Sequence, residues 1–105
     1  MNLMISSILL AAGQSKRMQG ENKLLKKYKK KYLINHILNS LIKSKVNKII
    51  VVLGYENRKI KKISLKSKKI NFVFNSQHLK GISTSIKRGL KKISKKNIGF
   101  LIAHA

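Results

Sequence analysis

Four short apolar runs, each separated from the next by a stretch with helical spacing, constrain this chain more than any other feature. Met4 to Leu10 is mostly apolar, with Ser6 and Ser7 interrupting it, and Lys48 to Leu53 holds the run Ile49-Ile50-Val51-Val52-Leu53. Ile70 to Phe74 alternates apolar and polar at first and then turns fully apolar, and Ile98 to Ala103 closes the series. Runs of this length read as strands, and continuous apolarity reads as burial on both faces of a parallel sheet. Between them, Leu33, Ile34, Ile37, Leu38, Leu41 and Ile42 form one stripe of a helix from Tyr32 to Ser44. Tyr55-Glu56-Asn57 opens a second helix whose inner face is Ile60, Ile63 and Leu65, a loop with one helical turn being the alternative. Ile82, Ile86, Leu90 and Ile93 mark a third, with Ser83 or Thr84 as its cap. Alternation of this kind forces parallel pairing through right-handed crossovers, so the expected fold is a three-layer α/β domain of Rossmann type. At 105 residues the chain suits one small domain.

The first strand runs into a segment of distinct chemistry. Ala11-Ala12-Gly13 lacks bulky side chains, so backbone N–H groups can turn inward and face an anion closely. Lys16, Arg17 and Lys23 then place three cations within a dozen residues, which suits the oxygens of a triphosphate. The Gly-Lys-Ser/Thr ending of a Walker A loop is missing, and Gly13 with Gly20 does not make a dinucleotide fingerprint. On spacing alone, Gly13 and Gly20 as turn residues and the cations as ordinary members of a basic chain read equally well.

The wording of the segment goes further. Leu10-Ala11-Ala12-Gly13-x-Ser15-x-Arg17-Met18, followed by Lys23-Leu24-Leu25, resembles the opening signature of the MobA-like nucleotidyltransferases, and most of all the molybdenum cofactor cytidylyltransferases. Gln19 stands where such proteins usually carry glycine. Val51-Val52-Leu53-Gly54-Tyr55-Glu56 looks like the second block of that family. Asn75, then Gly81-Ile82-Ser83-x-Ser85, then Gly89-Leu90, looks like the third. The resemblance implies a nucleotide-diphospho-sugar transferase type of fold, of which residues 1–105 are the amino-terminal nucleotide-binding part. It implies that Arg17 and Lys23 neutralise a triphosphate held by Leu10, Ala11, Ala12, Gly13 and Ser15, and that Asn75, Gly81 and Ser85 line the base and sugar side. For Gly81, Ser83, Ser85 and Gly89 the alternative is structural, with the glycines allowing close packing and the serines capping a helix.

The implied reaction transfers CMP from CTP to a phosphate of a molybdopterin-type acceptor and releases pyrophosphate. A sugar-1-phosphate nucleotidyltransferase is the alternative within the same chemistry. The implied cofactor is Mg2+, bound in the family by an aspartate in an Asp-x-Pro turn after the fourth strand. Here that strand ends Ile102-Ala103-His104-Ala105, and the chain contains no aspartate. Imidazole is a poor magnesium ligand beside an oxygen donor, so His104 is no substitute. The chain is therefore expected to be a truncated product, an incomplete sequence or part of a split enzyme. It is expected to bind nucleotide weakly and transfer little.

Charge supplies a competing reading from another class. Lysine and arginine number 25 against Glu21 and Glu56, a net charge of +23, which by itself suggests a small basic nucleic-acid-binding protein. Three of the 25 are arginines (Arg17, Arg58, Arg88), leaving 22 lysines beside heavy use of Ile and Asn. These three residue types share A/T-rich codons, so codon bias accounts for the excess without selection for binding. Nucleic acid is thus expected to bind only nonspecifically. Phe72, Phe74 and Phe100 fall in apolar runs and are assigned to the core, and His36 is read as a partly exposed helix residue. With no cysteine, neither disulfides nor a thiolate metal site can form, which fits the cytoplasmic location expected here. Leu3 to Ala12 imitates a signal-peptide core, yet no Lys or Arg precedes it and Gly13-Gln14-Ser15-Lys16 fits a phosphate loop better than a cleavage site. No apolar run approaches the roughly 20 residues of a spanning helix, so no membrane partner is expected.

Overall fold

The computed structural model describes residues 5–11, 23–77, 82–92 and 99–104. Its main sheet is parallel and has the order β5-β4-β1-β6, formed by β1 (Ile5–Ala11), β4 (Lys48–Leu53), β5 (Ile70–Phe74) and β6 (Gly99–His104). The central strand β1 pairs with β4 from Ser6↔Lys48 to Ala11↔Leu53, and with β6 from Ile5↔Gly99 to Leu10↔His104. Every residue of β1 after Ile5 is buried, because the strand is covered on both edges and both faces. This is why its sequence is a run and not an alternation.

Alternate residues of β1 and β4 feed two separate cores. Leu9, Ala11, Ile49, Val51 and Leu53 pack with Ile34 and Leu38 of α1 (Leu33–Lys43) and Ile60 of α2 (Asn57–Ile63). On the opposite face, Ile8, Leu10, Ile50, Val52 and Val73 meet Ile86 of α3 (Ile82–Leu90). The expected three layers are therefore present. Gly89 lets α3 approach the sheet closely, since a Cβ there would lie 2.7 Å from Ile8 Cγ2 and 3.2 Å from Val52 Cγ2. Both neighbours are fully buried branched side chains. Gly89→Ala should gain about 0.5–1 kcal/mol of helix propensity but lose about 1–3 kcal/mol to overpacking. Thermal denaturation is expected to show a net loss near 1 kcal/mol, or roughly 5 °C in Tm.

Several elements differ from the sequence expectation. Residues 27–32, where no strand was expected, form a hairpin of β2 (Lys27–Tyr28) and β3 (Lys31–Tyr32), with Lys29 and Lys30 at φ 51° and 68°. The third helix starts at Ile82, so Ser83 and Thr84 lie inside its first turn and are not caps; Ile93 lies outside the described residues. Phe74 is 47% exposed and not core, standing last in the edge strand β5. Leu65 is likewise exposed, beyond the end of α2. The Phe100 side chain lies outside the described residues.

Asparagines tie these elements together. Asn47 Oδ1 accepts from Ile5 N at 2.9 Å while Asn47 N donates to Ile5 O at 2.7 Å, locking the entry of β1 beside β4. Asn35 on α1 donates from Nδ2 to Ile63 O and accepts from Leu65 N, both at 2.8 Å, so the end of α2 is clamped to α1. Ser7 Oγ, fully buried in β1, finds no hydrogen-bond partner among the described residues.

Candidate functional site

All four strands of the main sheet run the same way, so Ala11, Leu53, Phe74 and His104 end on one edge. The chain steps from β1 outward to β4 and β5, then returns across the other face to β6. The strand order thus reverses between β1 and β6, the place where open α/β sheets leave a crevice for ligands. Leu10 pairs with His104 at that crevice. The side chains of Leu10 and Ala11 are buried in opposite cores, 4% and 2% exposed, so only their backbone remains for a ligand. Ala12, Gly13, Ser15, Arg17 and Gly81 lie outside the described residues.

Lys23 opens a single 3-10 turn, Lys23–Leu25. Its side chain is outside the described set, but its backbone is placed by Leu24. That side chain is 5% exposed and sits in one cluster with Ala11, Ile34, Leu38, Leu53 and Ile60. Lys23 is therefore tied by its neighbour to the face of the sheet that α1 and α2 cover.

Two strands away, the predicted contacts Asn75 and Ser85 meet each other. Asn75, just past β5, is 4% exposed, and its N–H donates to Leu53 O at 2.8 Å. Its Nδ2 donates to both Thr84 Oγ1 and Ser85 Oγ at 2.9 Å, and its Oδ1 accepts from Gln77 N at 3.0 Å. Thr84 Oγ1 in turn donates to Gln77 O at 3.0 Å. This latch fixes the first turn of α3 to the carboxyl end of β5. Ser85 is a mid-turn acceptor in it, 3% exposed, and does not cap the helix.

Beside the latch lies a concavity of about 310 Å³ lined by Asn75, Ser76, Gln77, Thr84, Lys87, Arg88 and Lys91. Arg88 Nε donates to Phe74 O at 3.3 Å, which holds the guanidinium against the strand end. Three cations and no carboxylate line this hollow. Sequence reasoning missed it, although Thr84, Lys87, Arg88 and Lys91 have the spacing of one helix face.

Glu56, the predicted helix-start acid, stands at φ 56° just before α2 and makes no side-chain cap. Its carboxylate instead pairs with Lys59 Nζ at 3.0 Å. The hydrogen bond to Glu56, and then its charge, raise the Lys59 pKa above the ordinary lysine value. The pair is complete below that value and is lost as pH climbs through the raised one. Lys59 is largely exposed, so the stabilisation is small. Among the described residues no three His, Cys, Asp or Glu side chains gather to hold a metal ion.

The model of the MobA-like NTP transferase domain matches residues 7–105. This chain belongs to that family. As a MobA-like domain it is similar in fold to a nucleotidyl transferase from Methanothermobacter thermautotrophicus, with TM-score 0.83 and 24% identity, covering 98% of this chain and 50% of that one. The Rv0371c protein of Mycobacterium tuberculosis H37Rv gives TM-score 0.83 at 19% identity, covering 99% and 52% respectively. A complex of Rv0371c with manganese gives TM-score 0.73 at 18% identity, covering 96% and 50%. At these identities the likeness is one of fold, and the MobA-like chain spans about half the length of each structure. No curated protein matches it. Among the described residues no helix is long and apolar enough to cross a membrane.

Proposed function

We propose that this MobA-like chain is the nucleotide-binding half of a nucleotidyltransferase that moves CMP from CTP to a phosphate of a molybdopterin-type acceptor. The observation supporting the reading is the reversal of strand order between β1 and β6, which leaves the end of β1 at Ala11 beside a crevice in a fold whose family is that of NTP transferases. Backbone amides of Ala12, Gly13 and Ser15 face the triphosphate, and Arg17 and Lys23 neutralise it. Asn75, Gly81 and Ser85 lie toward the nucleoside. The carboxyl ends of β1 and β5 are two strand spacings apart, roughly 10 Å, about the span from a phosphate tail to a base.

In the transfer, an acceptor phosphate oxygen attacks the α-phosphorus and forms a new P–O–P link while the bond to the β-phosphate breaks. Pyrophosphate carries away the released negative charge. Fixed donors and cations at the phosphates stabilise that charge without reorganising. The divalent cation of the family, Mg2+ by resemblance, would assist the same charge, but the described side chains do not form a site for it. Titration calorimetry of the 105-residue chain with CTP, GTP and UTP tests the reading. Saturable binding that favours CTP is expected, and heats shared equally by all three, or absent, would contradict the assignment to CTP.

A further inference from the structure

The hairpin of β2 and β3 is a separate cationic element with an order that codon bias does not explain. Lys26, Lys27, Lys29, Lys30 and Lys31 are all exposed, and Tyr28 among them is 60% exposed. The pair Tyr28↔Lys31 closes a two-residue turn, and positive φ at both Lys29 and Lys30 makes it type I′. That turn favours Asn-Gly, and lysine there holds an L side chain in left-handed backbone. A/T-rich codons supply asparagine as readily as lysine, and the chain uses nine asparagines. Yet both turn positions carry charge.

The hairpin is also braced from behind. His36 Nε2 donates to Tyr28 O at 2.5 Å, since a carbonyl can only accept, and Leu33 N donates to Lys26 O at 2.8 Å. The edge of the Tyr28 ring rests on His36, with centroids 5.7 Å apart and planes at 67°. Lys29 Nζ lies over the Tyr28 ring, 5.5 Å from its centroid, and Lys27 Nζ lies 5.2 Å from that of Tyr32. The result is a braced aromatic side chain flanked by exposed cations, with two glutamates in the entire chain to oppose them.

We propose that this hairpin docks single-stranded nucleic acid, one base stacking on Tyr28 while Lys29 swings from the ring to a phosphate and Lys30 and Lys31 take the neighbouring phosphates. Stacking on an aromatic beside backbone-tracking lysines is how single strands are held without sequence readout. An anionic bilayer is the poorer fit, because residues 26–31 contain no aliphatic side chain to enter it. None of these hairpin residues is among those assigned to the nucleotide.

Fluorescence anisotropy of a labelled oligothymidylate against the whole chain, repeated over a range of salt, tests the proposal. Lys29→Asn with Lys30→Gly supplies the residues the turn prefers, so a thermal melt should show no loss of stability. It should reduce the slope of log affinity against log salt by about 1.4, two phosphates at ~0.7 each. Tyr28→Ser should weaken binding about tenfold with the slope unchanged. Lys45→Asn with Lys68→Asn removes the same charge from turns elsewhere and should leave the slope as it was. CTP binding should survive the hairpin variants, whereas Lys23→Ala should weaken CTP and spare the oligonucleotide. Equal losses from the hairpin and control pairs, an inert Tyr28, or binding to anionic vesicles without binding to the oligonucleotide would each overturn the proposal.

Discussion

Leu24→Ala is expected to destabilise the chain by about 2–5 kcal/mol, the range for removing a fully buried leucine where the cavity cannot collapse. Leu24 is 5% exposed and belongs to the core that the sheet shares with α1 and α2, whose members include Ala11, Leu53, Ile34, Leu38 and Ile60. Among residues 24–32 no other side chain is fully buried. A small domain has little stability to spare, so a loss of this size moves Tm by roughly 10 °C or more and threatens folding at 37 °C. Leu24 is also the buried neighbour of Lys23, so its loss loosens the backbone that carries that cation. Thermal denaturation followed by circular dichroism checks the first effect. A midpoint within a few degrees of wild type would mean that the 3-10 turn is not held by this contact.

Asn75→Leu is the second large effect. The change removes three hydrogen bonds at once, to Thr84 Oγ1, Ser85 Oγ and Gln77 N, and leaves the hydroxyl of the buried Ser85 without its donor. Unpaired buried polar groups cost about 1–3 kcal/mol each, so a loss of about 2–4 kcal/mol is expected in urea denaturation. Ser85→Ala alone should cost about 1 kcal/mol. Because the two share one network, the double variant should lose less than the sum. Additive losses would show that the latch between β5 and α3 carries no coupling.

Much of this architecture was readable in the amino-acid order, for reasons that separate the successes from the failures. The bounds of β4 follow from the sequence because uninterrupted Ile-Ile-Val-Val-Leu is a direct imprint of burial, and those of β5 because an apolar run of strand length marks it. The stripe from Leu33 to Ile42 places α1 equally well. The hairpin was hidden because Lys29-Lys30 carries none of the Asn, Gly or Asp signals of a type I′ turn. Phe74 was assigned to the core because residue type does not reveal that β5 is an edge; only the strand order does. The latch was partly legible, since Asn75 and Ser85 were singled out as candidate contacts, but their bond to each other spans ten residues and leaves no local pattern. Arg88 and its hollow went unnoticed among 25 basic residues, where another cation carries little information. The cradle after Ala11 was proposed from its wording alone, and its residues 12–22 lie outside the described residues.

The account rests on Arg17 and Lys23 gripping a triphosphate at that crevice, and one titration addresses it most directly. CTP binding should be measured for the native chain, for Arg17→Ala, for Lys23→Ala and for Lys45→Ala, the last being an exposed lysine that precedes β4 at the opposite edge of the sheet. A hydrogen bond to a charged group is worth about 1.5–3 kcal/mol, so each of the first two changes should weaken CTP at least tenfold or so, and Lys45→Ala should not. Affinity that falls equally in all three variants, or in none, would contradict the account.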